Sequence, residues 1–252
     1  MQNNQITEGI IMRVTPYGDT HKIGNILTRD SGKITVFFHH ARTSKHRFSG
    51  GVQSFYHLRF TIKKSQKNSD YSNISDYQLL NAFFEIGEDY HSLTMASYFS
   101  DLLLHVSKEN LNDPLLFELL RSAFLYLCQS EVQKYYLFHI RLYFELRLLQ
   151  LTGFLPNFHH CFYCQKTPAL LSYHHELLCE ECIKLHPEIY GISFDDTMRN
   201  TILFFVTNRF SQFMSSNDLL KKAHIENIQS VNDILLESIL SAPLKSKELL
   251  LK

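Results

Sequence analysis

Four cysteines in two closely spaced pairs constrain this chain more than any other feature of its sequence. Cys161 and Cys164 are followed, after fourteen residues, by Cys179 and Cys182, the pattern C-x2-C-x14-C-x2-C. Each C-x2-C pair can direct two thiolates toward one point, and two pairs complete the tetrahedral shell of four sulfurs that suits zinc. We therefore predict a structural Zn²⁺ held by these four residues, in an insert at about residues 158–186.

The same residues leave other ligand chemistry open. Four thiolates also hold iron–sulfur clusters, although paired spacing of this kind is more typical of zinc ribbons. A closed shell of four protein ligands leaves no position for water, so the predicted site is structural rather than catalytic. Histidines close to the cysteines in sequence could replace one of them as a ligand: His159, His160, His174 and His175.

The distribution of cysteines also indicates the compartment. A clustered tetrad in a chain of 252 residues favours metal binding in a reducing compartment over a disulfide framework. The fifth cysteine, Cys128, stands alone in an apolar stretch and is interpreted as a core residue. Residues 1–7 lack the apolar segment of a signal peptide, and no run of about 18 apolar residues is present. These features predict a cytoplasmic protein without a membrane segment.

The first 85 residues favour β-strands. Residues 6–14, 23–28, 34–38, 55–62 and 74–84 are rich in strand-forming residues, and turn signals such as Asp30-Ser31-Gly32 separate them. Five short strands with such loops fit a small OB-fold barrel. The strand count alone also allows an SH3-like barrel.

From about residue 89 the apolar residues recur at helical spacing. Asn112-Asp113-Pro114 predicts a helix start, and Gly153 predicts the end of a later helix that begins near Glu131. Weaker helical stretches follow residues 193, 217 and 231. The expected fold class is α+β: an N-terminal five-stranded OB-fold barrel at residues 1–85, then an all-helical domain at 86–252 that carries the four-cysteine zinc insert.

The formal net charge is zero, but the charge is unevenly distributed. Residues 1–80 contain 11 Lys or Arg and 5 Asp or Glu, whereas residues 81–252 contain 14 and 20. This segregation favours contact between the first segment and a polyanion. A solvated basic surface is the alternative interpretation.

Three stretches together resemble the RecO family of bacterial recombination mediators. Residues 9–19, GIIMRVTPYGD, resemble the family's first strand and turn, and residues 41–48, ARTSKHRF, are similar to its basic loop after the third strand. Residues 144–156, which end in Gly-Phe-Leu-Pro shortly before Cys161, resemble its approach to the zinc site. The resemblance spans roughly residues 6–182.

The resemblance implies a non-enzymatic role in recombinational DNA repair. Proteins of this family bind single- and double-stranded DNA, anneal complementary strands and join the partner RecR. Together they promote loading of RecA onto DNA coated with single-strand-binding protein (SSB), and they bind the acidic C-terminal tail of SSB. The free protein is expected to be a monomer.

One departure from the family pattern affects the basic loop. Family members commonly carry Lys-Gly before the Ala-Arg of this loop, whereas His39 and His40 stand there in this chain. The change removes a fixed positive charge and a flexible glycine. Contact between this loop and DNA is therefore expected to depend more strongly on pH, because histidine titrates near neutrality.

The predicted binding residues follow from this interpretation. Candidate DNA contacts are the loop residues Arg42, Lys45 and Arg47, and on strands or their ends Arg29, Lys33, Arg59, Lys63 and Lys64. Phe37, Tyr56 and Phe60 either stack on bases or fill the barrel core. Candidate contacts for the acidic tail are Lys134, Arg141 and Arg147, which lie among apolar residues of the helical region.

An enzymatic function finds little support in the sequence. The chain lacks a GxSxG elbow, a Walker loop, an HExxH motif and a dinucleotide-binding fingerprint. Asp195-Asp196 is interpreted as a helix start, where acidic side chains are favoured. Two alternatives to a recombination mediator remain: a zinc-stabilised protein–protein adaptor, and an RNA- or DNA-processing enzyme with a barrel and a zinc ribbon.

Overall fold

The computed structural model describes residues 5–41, 43, 51–63, 71–129, 134–209, 212, 222–240 and 242–250. It divides into two compact units, one formed by Met1–Gln133 with Leu244–Lys252 and the other by Lys134–Pro243. The first unit contains a β-barrel and helices, and the second contains helices and the cysteine cluster, which confirms the α+β class. The predicted division of the chain at residue 85 stays a prediction.

In its described residues, the barrel is one antiparallel sheet whose two edges are joined by a single bridge. Its strands are β1 (Gln5–Tyr17), β2 (His21–Thr28), β3 (Gly32–Phe38), β4 (His57–Lys63) and β5 (Asn73–Asn81), in the order β3-β2-β1-β4-β5. A parallel bridge between Val36 and Ser72 joins β3 to the chain just before β5. The Ser72 N–H donates to Thr35 O at 2.8 Å, and Phe37 N–H donates to Ser72 O at 3.3 Å. This closure is that of the partly open OB-type barrel.

Strand periodicity determines which side chains fill the barrel. Along β3, Ile34, Val36 and Phe38 are buried, whereas the residues between them are partly exposed. A Cβ atom at Gly24 on β2 would lie 2.7 Å from the Phe38 ring, so glycine is needed there for the ring to pack. The core is therefore densely filled beneath the outer face of β2 and β3.

Two of the three aromatic residues singled out from the sequence lie in this core. Tyr56 and Phe60 are buried, which favours packing over base stacking for both. Phe37 remains partly exposed because it occupies an outward position of β3.

Four helices complete the described part of the first unit. Three follow the barrel directly: α1 (Phe84–Glu88), α2 (Tyr90–Val106) and α3 (Pro114–Leu127). The fourth, α8 (Lys245–Leu249), is the last described helix of the chain. The Asp113 carboxylate accepts from Leu116 N–H at 3.2 Å and so caps α3 at the predicted start. Cys128 follows α3 and is half-buried rather than fully buried. Burial, together with the charge of Glu85, raises the pKa of the Cys128 thiol to about 12.

The second unit consists of α4 (Lys134–Leu151), α5 (Glu180–Leu185), α6 (Asp196–Thr207) and α7 (Lys222–Glu237), with a small sheet formed by β6 (Leu170–Ser172), β7 (Leu177–Leu178) and β8 (Gly191–Ser193). Helix α4 packs against α6 and α7. The sheet order is β7-β6-β8, and its strands flank the cysteine cluster. In the described part of the chain, we find no helix with the length and apolar character needed to cross a membrane.

Candidate metal centre and nucleic-acid interface

The four predicted cysteine ligands converge on one point. Cys164 Sγ lies 3.4 Å from Cys179 Sγ and 3.6 Å from Cys182 Sγ, and the four sulfurs lie within 4.8 Å of one another. Sulfurs bound tetrahedrally at about 2.3 Å from one zinc ion would stand about 3.8 Å apart. A disulfide would need a separation of about 2.05 Å. The spacing and the soft donor set fit a structural metal site and are consistent with zinc.

Backbone hydrogen bonds shape the first cysteine pair. Cys161 N–H donates to Lys166 O at 2.7 Å, and Gln165 N–H donates back to Cys161 O at 3.2 Å. Gln165 has a φ of 64°, the left-handed conformation that reverses the chain here. Phe162 N–H donates to Leu177 O at 2.7 Å, which ties this turn to β7. The loop is therefore built to present Cys161 and Cys164 together.

The start of helix α5 positions the second cysteine pair. Cys179 is the residue before α5 and Cys182 lies in its first turn, so both sulfurs reach the same point. Ile183 N–H donates to Cys179 O at 3.0 Å. Cys161, Cys179 and Cys182 are buried, whereas Cys164 is exposed.

The protein groups alone favour ionisation of the Cys161 thiol and oppose that of the Cys182 thiol. Burial raises the pKa of Cys161, but hydrogen bonds from the backbone of Cys164, Cys179 and Tyr163 outweigh it and lower that pKa to about 6. The pKa of Cys182 is instead raised by burial and by hydrogen bonds with the other thiols. A divalent cation is the charge that allows the remaining thiols to act as thiolates.

The neighbouring histidines are not part of this cluster. Among the described residues, the group able to hold a metal consists of the four cysteines. His160 Nδ1 lies 3.3 Å from Gln165 O, and His175 Nε2 lies 3.0 Å from Ile234 O. The four cysteines therefore complete the site without a histidine ligand.

Three of the predicted DNA-binding cations have partners within the first unit. Arg29 pairs with Glu118 and lies 5.3 Å from the centre of the Phe117 ring. Arg59 donates to Glu8 at 2.7 Å, and this hydrogen bond holds the pKa of the Glu8 carboxyl below its usual value. Lys33 Nζ donates to Leu104 O at 2.8 Å. Their role as DNA contacts stays a prediction.

The other predicted DNA contacts fall mostly outside the described residues. Lys63 ends β4, but its side chain is not among those described. Four further residues lie outside the described ranges altogether: Arg42, Lys45, Arg47 and Lys64.

Two of the three residues predicted to bind an acidic tail have partners within the second unit. Arg141 is only 3% exposed and donates to Glu145 at 2.9 Å and to Asp233 at 3.2 Å. Arg147 donates to Gln150 at 2.7 Å and also to the carbonyl of Val206. Lys134 begins α4, and its side chain is not described. Arg141 is therefore buried rather than open to a ligand, and a role of Lys134 and Arg147 in tail binding stays a prediction.

Sequence reasoning did not group a set of aromatic rings that the barrel brings together. We name Tyr17, His21, Phe37, His39, His40 and Tyr71 the barrel ring cluster. The Phe37 ring centre lies 4.5 Å from that of His39, 5.1 Å from His21, 5.4 Å from Tyr17 and 6.1 Å from Tyr71. The alternation of β3 signals that Phe37 points outward, but the positions of the other rings depend on strand pairing.

Fold and site together define an α+β protein that combines an OB-type barrel with a four-cysteine metal cluster. Residues 1–83 match the family model for the N-terminal part of recombination protein O, and residues 87–248 match that for its C-terminal part. The chain therefore belongs to the RecO family of DNA repair proteins. The match extends about 65 residues beyond the resemblance seen in the sequence, through the C-terminal helices.

Individual relatives agree with this assignment. The chain is 26% identical to the DNA repair protein RecO of Bacillus subtilis over 246 residues, which cover 96% of this chain and 92% of the relative. It is 28% identical to that of Oceanobacillus iheyensis over 234 residues, which cover 91% of this chain and 85% of the relative. It is 27% identical to the DNA repair protein RecO of Halalkalibacterium halodurans over 189 residues, which cover 74% of this chain and 72% of the relative.

Family membership confirms part of the predicted function. The chain is a DNA repair and recombination protein, and this family implies interaction with DNA. The expectation of a non-enzymatic recombination mediator is confirmed by the family rather than by the lack of catalytic motifs.

Proposed function

We propose that this protein binds single- and double-stranded DNA, anneals complementary strands and, with RecR, promotes RecA loading onto SSB-coated single strands. The supporting observation is that both halves of the family match in order across residues 1–83 and 87–248. We further propose that it acts as a monomer when free, in the cytoplasm at the nucleoid.

Annealing requires neutralisation of two phosphate backbones without preference for sequence. Lys and Arg achieve this by releasing counterions from the DNA. We assign the primary phosphate contacts to Arg42, Lys45 and Arg47, with Lys63 and Lys64 alongside. These residues supply part of the surplus of 11 cations over 5 carboxylates in residues 1–80.

The paired cations of the barrel contribute secondary contacts. The side chains of Arg29 and Arg59 are 42% and 51% exposed, although each pairs with a carboxylate. Exposed ion pairs contribute about 0–1 kcal/mol, so a phosphate can replace a carboxylate at small cost. To contact a phosphate, Lys33 would likewise have to give up its hydrogen bond to the carbonyl of Leu104.

We propose that the metal is Zn²⁺ and that its role is structural. Cys161, Cys164, Cys179 and Cys182 would hold it with four thiolates, the set that closed zinc sites use. The ion would fold the segment around it, since the apolar residues buried with the cysteines are few.

We also propose that the acidic tail of SSB binds along α4. Direct contact would fall to Lys134 and Arg147. Arg141 is buried against Glu145, so we assign it a positioning role, in which it holds α4 to Asp233 of α7.

The test is annealing of complementary oligonucleotides by the purified protein, with and without SSB. We expect annealing to be faster than the spontaneous reaction and to fall steeply with added salt. Changing Arg42, Lys45 and Arg47 together to alanine should weaken binding and reduce the salt slope for single strands by about 2. The matched control changes Lys108, Arg209 and Lys245, which removes the same charge from exposed positions elsewhere.

One outcome would contradict the assignment of the loop, and another would contradict the function itself. Unchanged affinity of the triple variant at low salt would refute the assignment of the loop. If the unmodified protein neither anneals nor binds DNA at low salt, a zinc-stabilised adaptor becomes the better account.

A further inference from the structure

We propose that the barrel ring cluster is a stacking platform for the unpaired bases of single-stranded DNA. This inference rests on the proposed function and adds a binding site that sets single strands apart from duplex. It assigns bases to aromatic rings, whereas the cations discussed above contact phosphates.

Strand pairing brings the rings to one outer face of the barrel. Tyr17 at the end of β1 pairs with His21 at the start of β2, and Phe37 on β3 pairs with Ile23 of β2. Tyr71 precedes Ser72, whose backbone forms hydrogen bonds with the edge of β3 that does not face β2. The rings therefore arise from four separate chain segments and meet around Phe37. In OB-type barrels, the face of the second and third strands is a surface that binds oligonucleotides.

The arrangement of the rings leaves aromatic surface exposed to solvent. Tyr17 is 54% and Tyr71 39% exposed, and Phe37 between them is partly exposed. Phe37 meets its neighbours at interplanar angles from 45° to 75°, so tilted and edge contacts predominate over face-to-face stacking. Exposed aromatic surface of this kind is typical of a binding site. Each nucleobase has a π-face, so rings of this type bind bases without preference for sequence.

The cluster is not needed to fill the barrel core. Ile34, Val36 and Phe38 occupy the inward side of the same strand, and Gly24 has no room for a Cβ beside Phe38. The rings lie on the opposite side of β3, outside that packed layer. They therefore add little to the burial that stabilises the barrel.

The backbone at the edge of the cluster is held in an unfavourable conformation. His40 has a φ of 57°, a left-handed value that a residue with a Cβ seldom adopts. Its N–H donates to His21 Nδ1 at 3.0 Å, which fixes Nδ1 as the acceptor and leaves Nε2 as the protonated nitrogen of a neutral ring. Such strained residues concentrate at functional sites. Here the hydrogen bond from His40 holds the His21 ring, whose centre lies 5.1 Å from that of Phe37.

The stretches of sequence next to the cluster are basic overall, as a nucleic-acid backbone requires. Lys22 follows His21 directly, and Arg42 follows His40 by two residues. On the other side, Lys63, Lys64 and Lys67 precede Tyr71 in sequence. These five cations outnumber the two carboxylates next to the rings in sequence, Asp19 and Asp70. Basic residues combined with stacking rings are what binds single strands. Because the bases of a duplex are already stacked on each other, only a single strand can use the rings.

The first test compares Phe37 variants in the full-length protein. Phe37→Ala should weaken binding of an oligothymidylate of about 16 nucleotides by about 5- to 150-fold. Affinity for a duplex of the same length should change by less than about twofold, because duplex binding depends on phosphate contacts. Phe37→Tyr should retain single-strand binding, whereas Phe37→Leu, which keeps apolar volume but no ring, should lose it. The matched control is Leu79→Ala, an exposed apolar residue on β5 of the same sheet.

A fluorescent variant tests contact at the ring itself. The chain contains no tryptophan, so Phe37→Trp introduces one emitter at the centre of the cluster. Oligothymidylate should quench its emission, whereas heparin, a polyanion without bases, should bind and leave the emission nearly unchanged.

The outcomes separate this inference from the proposed function. If the unmodified protein binds both DNA forms and Phe37→Ala binds oligothymidylate equally well, the platform is refuted while the proposed function stands. Equal losses for single strand and duplex would also refute it, since they would indicate a structural role of Phe37. If the unmodified protein binds no DNA, both proposals fail.

Discussion

The barrel and the cysteine insert are both small β-structures, but different forces hold them together. The barrel buries side chains from all five strands in one core, among them Ile11, Ile26, Phe38, Phe60 and Ile74. The insert has strands of two or three residues, and its buried cluster consists of two leucines and three of the four cysteines. Hydrophobic burial therefore stabilises the barrel, whereas a bound metal would stabilise the insert.

This difference determines how strongly a single substitution lowers the stability of each region. A core of many side chains distributes its stabilisation, so that one substitution removes a fraction of it. A closed metal site concentrates stabilisation in a single ion, and its loss unfolds the segment that the ion organises. We expect the two regions to respond to separate substitutions.

The largest effect is expected from loss of the metal site. Cys161→Ser with Cys164→Ser should abolish zinc binding and with it a stabilisation on the order of 10 kcal/mol for the insert. Metal analysis should find one zinc per unmodified chain and none in the variant. Proteolysis of the variant should begin within residues 158–193, while hydrogen exchange in the barrel stays slow.

Cys128→Ser is the control, since Cys128 lies outside the cluster and should leave zinc content unchanged. A metal-free double variant as stable as the unmodified protein would contradict the structural role of the ion.

A core substitution should weaken the barrel and spare the insert. Ile26→Ala removes a fully buried side chain and should lower the free energy of unfolding of the barrel by about 2–5 kcal/mol. Chemical denaturation measures this loss, and zinc content should remain at one per chain. Ile6→Ala, at an exposed position of β1, should be close to neutral. Release of zinc by Ile26→Ala would break the proposed independence of the two regions.

A backbone clash should produce a smaller effect in the insert. A Cβ atom at Gly191 would lie 2.0 Å from Leu171 O, so Gly191→Ala must move β8 away from β6. We expect a loss of about 1–3 kcal/mol, seen as faster zinc release to a chelator. Gly87→Ala, where the added atom meets open space, should release zinc at the unmodified rate.

The smallest effect is a dependence of barrel stability on pH. Burial lowers the pKa of His57, and the nearby Glu8 carboxylate only partly opposes this shift. The unfolded chain therefore takes up the proton first, so stability is complete above a pH of about 6.5 and declines as the pH falls below it. His57→Gln should remove this decline between pH 7 and 5. The lowered pKa of Glu8 acts separately, because the stability it provides is lost only below a pH of about 4.5. An unchanged decline in His57→Gln would assign it to other groups.

Strand positions and cysteine ligands could be predicted because their signals are local. The alternation of β3 and the turn at Asp30-Ser31-Gly32 lie within a few residues, and so does each C-x2-C pair. The helix start at Pro114 is equally local, since the capping side chain belongs to Asp113. Such patterns are independent of the rest of the fold.

Contacts between distant residues could not be predicted in the same way. Arg29 and Glu118 are 89 positions apart, and Arg141 and Asp233 are 92 apart, so no spacing pattern connects them. A count of basic residues therefore gave no indication that these arginines have carboxylate partners or that Arg141 is buried.

The sequence by itself determined the α+β class, the four cysteines that form the candidate metal site and the basic character of the first segment. Periodicity, ligand spacing and composition are properties of the chain that folding does not alter. Only the tertiary structure decided that Arg29 and Arg59 face carboxylates and that Tyr17, His21 and Phe37 share one outer face. The reason is that strand register and packing bring together residues whose separation along the chain has no fixed relation to their distance in space.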